Sequence, residues 1–200
     1  MHVTLLATSL FALIGGPSVG KTSIINALRE EGEIICVEAA TDVILAEQAA
    51  GRPTPWDDEG FEIKLFNEKV QREGRAREIA FDAGNPSVFI DGSILDSIIY
   101  LEMLNKQDSY EAEYIYEKLI ELNAQERYKA IFYVEPHSGS NFELTKTAVR
   151  REDTAESLRI ANKLKALYAT TNLPIISVPP HMTPKERALF ILKKAHELSS

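Results

Sequence analysis

The chain has 200 residues, 44% of them hydrophobic and 26% charged, a balance that belongs to globular domains and excludes a disordered tail, a fibre or a membrane bundle. Its 22 basic residues stand against 30 acidic ones, a formal charge of −8, so nucleic acid is not expected as a partner. A single cysteine, Cys36, excludes an internal disulfide, and the 4 histidines (His2, His137, His181, His196) lie too far apart for a transition-metal pattern.

The apolar opening Val3 to Ile14 is short of the roughly 20 residues that span a bilayer and lacks the basic flank of a signal peptide. A cytoplasmic protein without membrane contact is the expectation. Leu10 to Ile14 reads as a buried strand, and the helical pattern Ser23 to Leu28 follows it after a glycine-rich turn. Glu33 to Val37 reads as a second strand that buries Cys36. After the polar loop Gly51 to Trp56, the segment Asp57 to Ala83 is expected to be helical, with Ile63, Phe66 and Val70 on its apolar face and Gly74 as a weak point.

Ser87 to Asp91 is the third expected strand, followed by a helix over Ile94 to Leu104. Glu111 to Arg127, with five glutamates against Lys118 and Arg127, reads as a solvated helix face. Ala130 to Glu135 is a fourth strand, and the polar loop Pro136 to Thr147 behind it has the length of a functional loop. Asp153 to Glu156 has the spacing of a helix start, with Ile160, Leu164, Leu167 and Tyr168 as the buried stripe. Pro174 to Val178 is the fifth strand, and Thr183, Pro184 and Glu186 open a last helix whose apolar stripe is Ala188, Ile191, Leu192, Ala195 and Leu198. Apolar runs alternating with helices predict an α/β domain built on a parallel sheet, one domain over residues 1–200.

The chemistry enters at Gly15-Gly16-Pro17-Ser18-Val19-Gly20-Lys21-Thr22, which satisfies G-x-x-x-x-G-K-[ST] between a strand and a helix. The glycines let the backbone curl so that successive amides, through Ser23, converge on phosphate, and the helix adds its positive end. Lys21 is expected to reach the β- and γ-phosphates and the Thr22 hydroxyl to hold Mg²⁺. ATP and Mg²⁺ are the expected cofactors. Asn105-Lys106-Gln107-Asp108 and Asp57 to Gly60 spell GTPase motifs, but neither follows a strand, so a GTPase is disfavoured.

With Val37-Glu38-Ala39-Ala40, Pro55-Trp56, Ile90-Asp91-Gly92-Ser93, Val149 to Asp153 and Val178-Pro179 in order behind the cradle, nearly the whole chain resembles the AAA_28-type P-loop ATPases, which are related to ribosylnicotinamide kinases, deoxynucleoside kinases and thymidylate kinases. The resemblance implies a three-layer P-loop domain with sheet order 2-3-1-4-5 and a lid at about residues 136–153. It implies an enzyme that moves the γ-phosphate of ATP to a small, nucleoside- or nucleotide-like acceptor, with Glu38 or Asp91 as base, Asp91 beside Thr22 at the metal, and Arg150 and Arg151 in the lid. Arg159 and Asp96 are weaker candidates, and Trp56, Phe66, Asn67 and Gln71 are candidates for the acceptor wall. Arg52, Arg72, Arg75 and Arg77 are candidates for an anionic acceptor. Two positions depart from the pattern, since Thr41 and Gly92 stand where arginines are usual. They keep open an alternative, an ATP-driven switch or plain ATPase read by a protein partner. The oligomeric state stays open too, a homodimer included.

Overall fold

The computed structural model describes residues 8–136 and 154–199. Five strands form one parallel sheet: β1 (Ser9–Ile14), β2 (Ile34–Cys36), β3 (Ser87–Asp91), β4 (Ala130–Val134) and β5 (Ile175–Val178). Their order is β2-β3-β1-β4-β5, as the resemblance implied. Among the described residues seven α-helices accompany them: α1 (Lys21–Glu30), α2 (Ala40–Ala49), α3 (Phe61–Asp82), α4 (Asp96–Met103), α5 (Tyr110–Glu121), α6 (Thr154–Ala169) and α7 (Pro184–Ser199).

Strand β1 shows why three layers form. Leu10, Ala12 and Ile14 join one core, and Phe11 and Leu13 point the other way into a second, with every one of these residues at most 1% exposed. A strand buried on both faces needs a helical layer on each side. Residues of α3, α4, α5 and α6 fill the first core, while α1 and α7 close the second, where the Phe11 ring stacks on Phe89 at 5.4 Å. A third cluster joins Ala39 and Val43 to Phe61 and Leu65, pinning α2 to the start of α3. Cys36 is buried in β2, and burial, with the charge of Glu73, pushes its thiol up to about 12.

Several boundaries move. The second strand is shorter than Glu33 to Val37, because Val37 is 42% exposed beyond the last ladder partner, Cys36. The helix expected from Asp57 starts at Phe61, since a 3-10 turn over Pro55–Asp57 comes first and Gly60 breaks the chain with φ 82. Its buried residues are Phe61, Glu62, Leu65, Phe66, Glu73, Ala76 and Ala80; of the expected apolar face Phe66 is buried, Val70 packs half-buried against the core, and Ile63 is only half-buried. The acidic run at Glu111 to Arg127 is not wholly solvated. Glu111 is 3% exposed and pairs with Lys106 at 3.1 Å, and Arg127 pairs with a buried Glu73 at 2.6 Å. A solvated-face reading misses such residues because pairing lets charge be buried.

At the last helix the expected box is present. Thr183 N–H donates to Glu186 Oε2 at 2.8 Å, and Glu186 N–H donates to Thr183 Oγ1 at 3.3 Å. No helix among the described residues is long and apolar enough to cross a membrane.

A candidate phosphate and acceptor site

The loop Gly15 to Gly20 leaves the carboxyl end of β1, between neighbours β3 and β4. Ligands of parallel sheets gather at that edge, where strand order reverses. Two contacts hold the loop in shape. A Cβ on Gly16 would lie 2.5 Å from the Ser157 carbonyl oxygen, so only glycine fits beneath α6. Ser157 Oγ in turn donates to the Pro17 carbonyl at 2.7 Å.

Helix α1 is preceded by Gly20 as N-cap, φ 96, and like α2, α3 and α4 has no side-chain cap, while α5 and α7 are closed by Ser109 and Thr183. An uncapped first turn beside a curled loop is a place for an anion. The Lys21 ammonium bends back over the loop and donates to the carbonyls of Gly15 at 2.9 Å and Gly16 at 3.0 Å. Ser18 holds φ 63, and its hydroxyl is buried with no partner among the described residues.

Thr22 Oγ1 donates to Asp91 Oδ2 at 3.3 Å across 69 residues of sequence. Asp91 ends β3 and is 8% exposed. Burial pushes its carboxyl up to about 6; Lys21 and the Thr22 bond oppose the shift, and Glu38 and Asp96 add to it. The fold therefore brings Lys21, Thr22, Glu38 and Asp91 into one electrostatic neighbourhood. A hydroxyl beside a carboxylate is a hard-oxygen pair that suits Mg²⁺, which takes few protein ligands and keeps phosphate oxygens for the rest. Among the described residues no cluster of three or more His, Cys, Asp or Glu offers a different metal site.

Gly92, where an arginine is usual in the kinases the chain resembles, holds φ 86, and a Cβ there would crowd Asp96 Oδ2 at 3.2 Å. The tight turn lets Ser93 N–H donate to Asp96 Oδ2 at 3.0 Å, while Tyr168 donates to Asp96 Oδ1 at 2.7 Å. Asp96 is 6% exposed, so it holds the turn behind Asp91 from within.

A cavity of about 570 Å³ opens from the cradle, within the size range of small-molecule sites. Lys21, Thr22, Glu38 and Asp91 line its polar end, and Ile44, Trp56, Phe61, Leu65, Tyr100 and Met103 its apolar part. Thr41 lines it as well.

Of the four residues expected on the acceptor wall, Trp56 is there. Phe66 is 1% exposed in the core, Asn67 accepts from Tyr114 at 3.1 Å, and Gln71 from Arg75 at 3.1 Å. The arginines proposed for an anion are occupied or remote. Arg52 pairs with Glu47, Arg72 with Glu68 and Asp42, Arg75 with Glu68, and Arg77 is exposed and does not line the cavity. Arg159 is exposed and also off the cavity. Arg150 and Arg151, with most of the expected lid, lie outside the described residues. Glu62 and Lys69 line the cavity and were not expected. The available signal was their place on the apolar stripe of α3, at steps of three and four around Leu65 and Phe66.

Among solved structures, NadR in complex with NR matches with a TM-score of 0.72 at 15% identity, over 96% of this chain and 52% of that one. NadR with NAD and AMP-PNP matches with a TM-score of 0.65 at 14% identity, over 96% of this chain. The chain thus spans about half the length of NadR. Deoxyadenosine kinase from M. mycoides with bound dATP matches over 94% of this chain and 99% of that one, with a TM-score of 0.59 at 15% identity. These likenesses show a P-loop kinase-like fold. No curated protein sequence matches significantly. The AAA_28 family model, described as an AAA domain, matches residues 10–187, from β1 through the cradle and sheet into α7, and the chain belongs to that family.

Proposed function

We propose that the chain, working as a single unit over residues 1–200, is a phosphotransferase that moves the γ-phosphate of ATP to a small, nucleoside- or nucleotide-like acceptor. The observation that carries this reading is the continuity of one cavity, from Lys21, Thr22 and Asp91 to a wall of Trp56, Phe61, Leu65 and Tyr100. Hydrolysis alone needs room for water, whereas an apolar chamber opening onto the phosphate cradle fits an organic acceptor. The same fold in NadR, described with NAD and AMP-PNP, and in deoxyadenosine kinase, described with dATP, supports nucleotide binding by this chain.

In this reading the loop amides and Lys21 hold the β- and γ-phosphates. Phosphoryl transfer leaves the protein chiefly positioning and charge stabilisation. Thr22 and Asp91 would hold Mg²⁺, which when bound supplies charge neutralisation between the phosphates. Glu38 or Asp91 takes the proton from the acceptor hydroxyl. Arg150 and Arg151 serve as lid cations on sequence resemblance alone. Gly92 and Thr41, which supply no guanidinium where arginines are usual in the kinases the chain resembles, favour the second reading, an ATP-driven switch or ATPase.

The test is incubation of the full chain with labelled ATP, Mg²⁺ and a panel of nucleosides, nucleotides and pyridine ribosides. A phosphorylated acceptor, lost in Lys21→Ala, is the expected result. ATP binding with only inorganic phosphate released across the panel supports the second reading, and ATP binding unaffected by Lys21→Ala overturns both.

A further inference from the structure

The cavity contains a charge that the phosphate chemistry does not use. Glu62, in the first turn of α3, is 4% exposed and lines the chamber beside Phe61 and Leu65. Its backbone N–H is satisfied by Glu111 Oε1 at 3.2 Å, and the nearby cation Lys106 is held by Glu111 Oε2 at 3.1 Å. Among the described residues the Glu62 carboxylate makes no hydrogen bond or ion pair, and its oxygens are not among the sealed polar atoms left without a partner; it faces the chamber.

Burial raises the pKa of that carboxyl, with Lys69 and Lys106 opposing and Glu111 adding to the shift. Lys69 stands on the same face seven residues on, about 10 Å along the axis at 1.5 Å per residue. Its ammonium is turned to Ser97 Oγ at 3.5 Å and lies 5.7 Å from the centroid of the Tyr100 ring. A carboxylate facing a largely apolar chamber keeps only water as its donor, and a ligand seated over it displaces that water at a cost. A ligand that brings the donor removes that cost, and a ligand that brings a second negative charge raises it.

Resting on the reading of this cavity as the acceptor site, we propose that Glu62 selects the acceptor: a flat molecule whose edge remote from the transferred phosphate carries N–H donors or a positive charge, and never a carboxylate. Phe61, Leu65, Tyr100 and Met103 provide the apolar walls for the ring, and the Glu62 oxygens accept from its far edge. The selection is steep because a mismatched ligand leaves a buried polar group unpaired.

The experiment uses matched pairs on the full chain loaded with ADP and Mg²⁺: cytidine against orotidine, and nicotinamide riboside against nicotinate riboside. Binding is read by calorimetry and by thermal shift. The amide- or amine-bearing member of at least one pair is expected to bind about 10- to 100-fold tighter than its carboxylate relative. Glu62→Ala is expected to lower that affinity about tenfold or more. Glu62→Gln, which keeps the shape, is expected to narrow the gap within the pair. The ADP affinity and circular dichroism of each variant report that it is folded.

Equal affinity within both pairs, absence of binding by all four ligands, or a preference that survives both substitutions overturns the proposal. An acceptor phosphorylated equally well by the wild type and Glu62→Ala removes Glu62 while leaving the phosphotransferase standing. Loss of nucleotide binding by the wild type sinks that underlying reading instead.

Discussion

Asp91 illustrates how much of a site can be stored in one side chain. Its carboxyl is pushed up to about 6 by burial at the end of β3, so the folded chain holds this proton more tightly than the unfolded chain, where the ordinary value is near 4. The stabilisation from that proton is fully present below the unfolded pKa and is lost as pH rises through about 6. Asp91→Asn, which never ionises, is therefore expected to match the wild type at pH 4 and exceed it at pH 8 in buffer free of nucleotide and magnesium. At 1.36 kcal/mol per unit, a shift of about two units bounds the gain at about 3 kcal/mol. Urea denaturation at the two pH values measures it, and parallel pH profiles for the two chains would show that the burial costs nothing. Turnover in the same variant should fall, since the group that destabilises the empty fold serves the reaction.

Helix α6 acts as a strut between two walls of the site. Near its start Ser157 bonds the Pro17 carbonyl and presses its backbone on Gly16. Near its end the Tyr168 hydroxyl reaches Asp96 and Ser93 behind Asp91. The same turn is braced from the opposite side, where Tyr128 accepts from Ile94 N–H at 3.0 Å and donates to Glu73 at 2.7 Å. A buried polar network with every bond made is rigid, so cradle and carboxylate hold their separation. Two glycine substitutions test this view in opposite directions. Gly16→Ala drives a Cβ to 2.5 Å from backbone and is expected to cost about 1–3 kcal/mol and at least tenfold in ATP affinity. Gly74→Ala, in mid-α3 with nothing within 4 Å, is expected to stabilise by about 0.5–1 kcal/mol. Chemical denaturation and calorimetry read both, and an indifferent Gly16→Ala would remove the strut.

The molecule as a whole carries −8, yet its proposed donor is a polyanion. Binding then depends on the local field of the loop, Lys21 and the α1 terminus overcoming the global one. Mg²⁺ and ATP at about 100 times the dissociation constant should stabilise the fold by about 2.7 kcal/mol, a rise of roughly 5–10 °C in Tm for a chain of this size. Differential scanning fluorimetry checks this, with Lys21→Ala expected to abolish the rise and an unchanged Tm in the wild type counting against nucleotide binding.

Elements whose signal is local were legible in the sequence. The cradle declares itself through glycine spacing because the backbone alone makes it, and the inner strands β1, β3 and β4 through unbroken apolar runs because both faces are buried, whereas the edge strand β5 leaves Ile175 exposed. The last helix is marked by Thr183 and Glu186, which cap it within one turn. Glu38 and Asp91 were legible as carboxylates at strand ends, and a parallel sheet puts strand ends in one place. The acceptor wall was another matter. Trp56 reaches the chamber while Phe66, Asn67 and Gln71 turn to the core or to neighbouring side chains. That choice depends on how α3 is rotated against α2 and α5, which Val43, Leu65 and the Glu111 bond to the Glu62 amide decide. Glu62 and Glu111 look alike in a charged helix, yet one is paired and the other open to a ligand. Local pattern determined the strands, the cradle and the carboxylates at the edge of the sheet, whereas only tertiary packing decided which buried charges are satisfied, because a partner dozens of residues away leaves no mark on the sequence beside them.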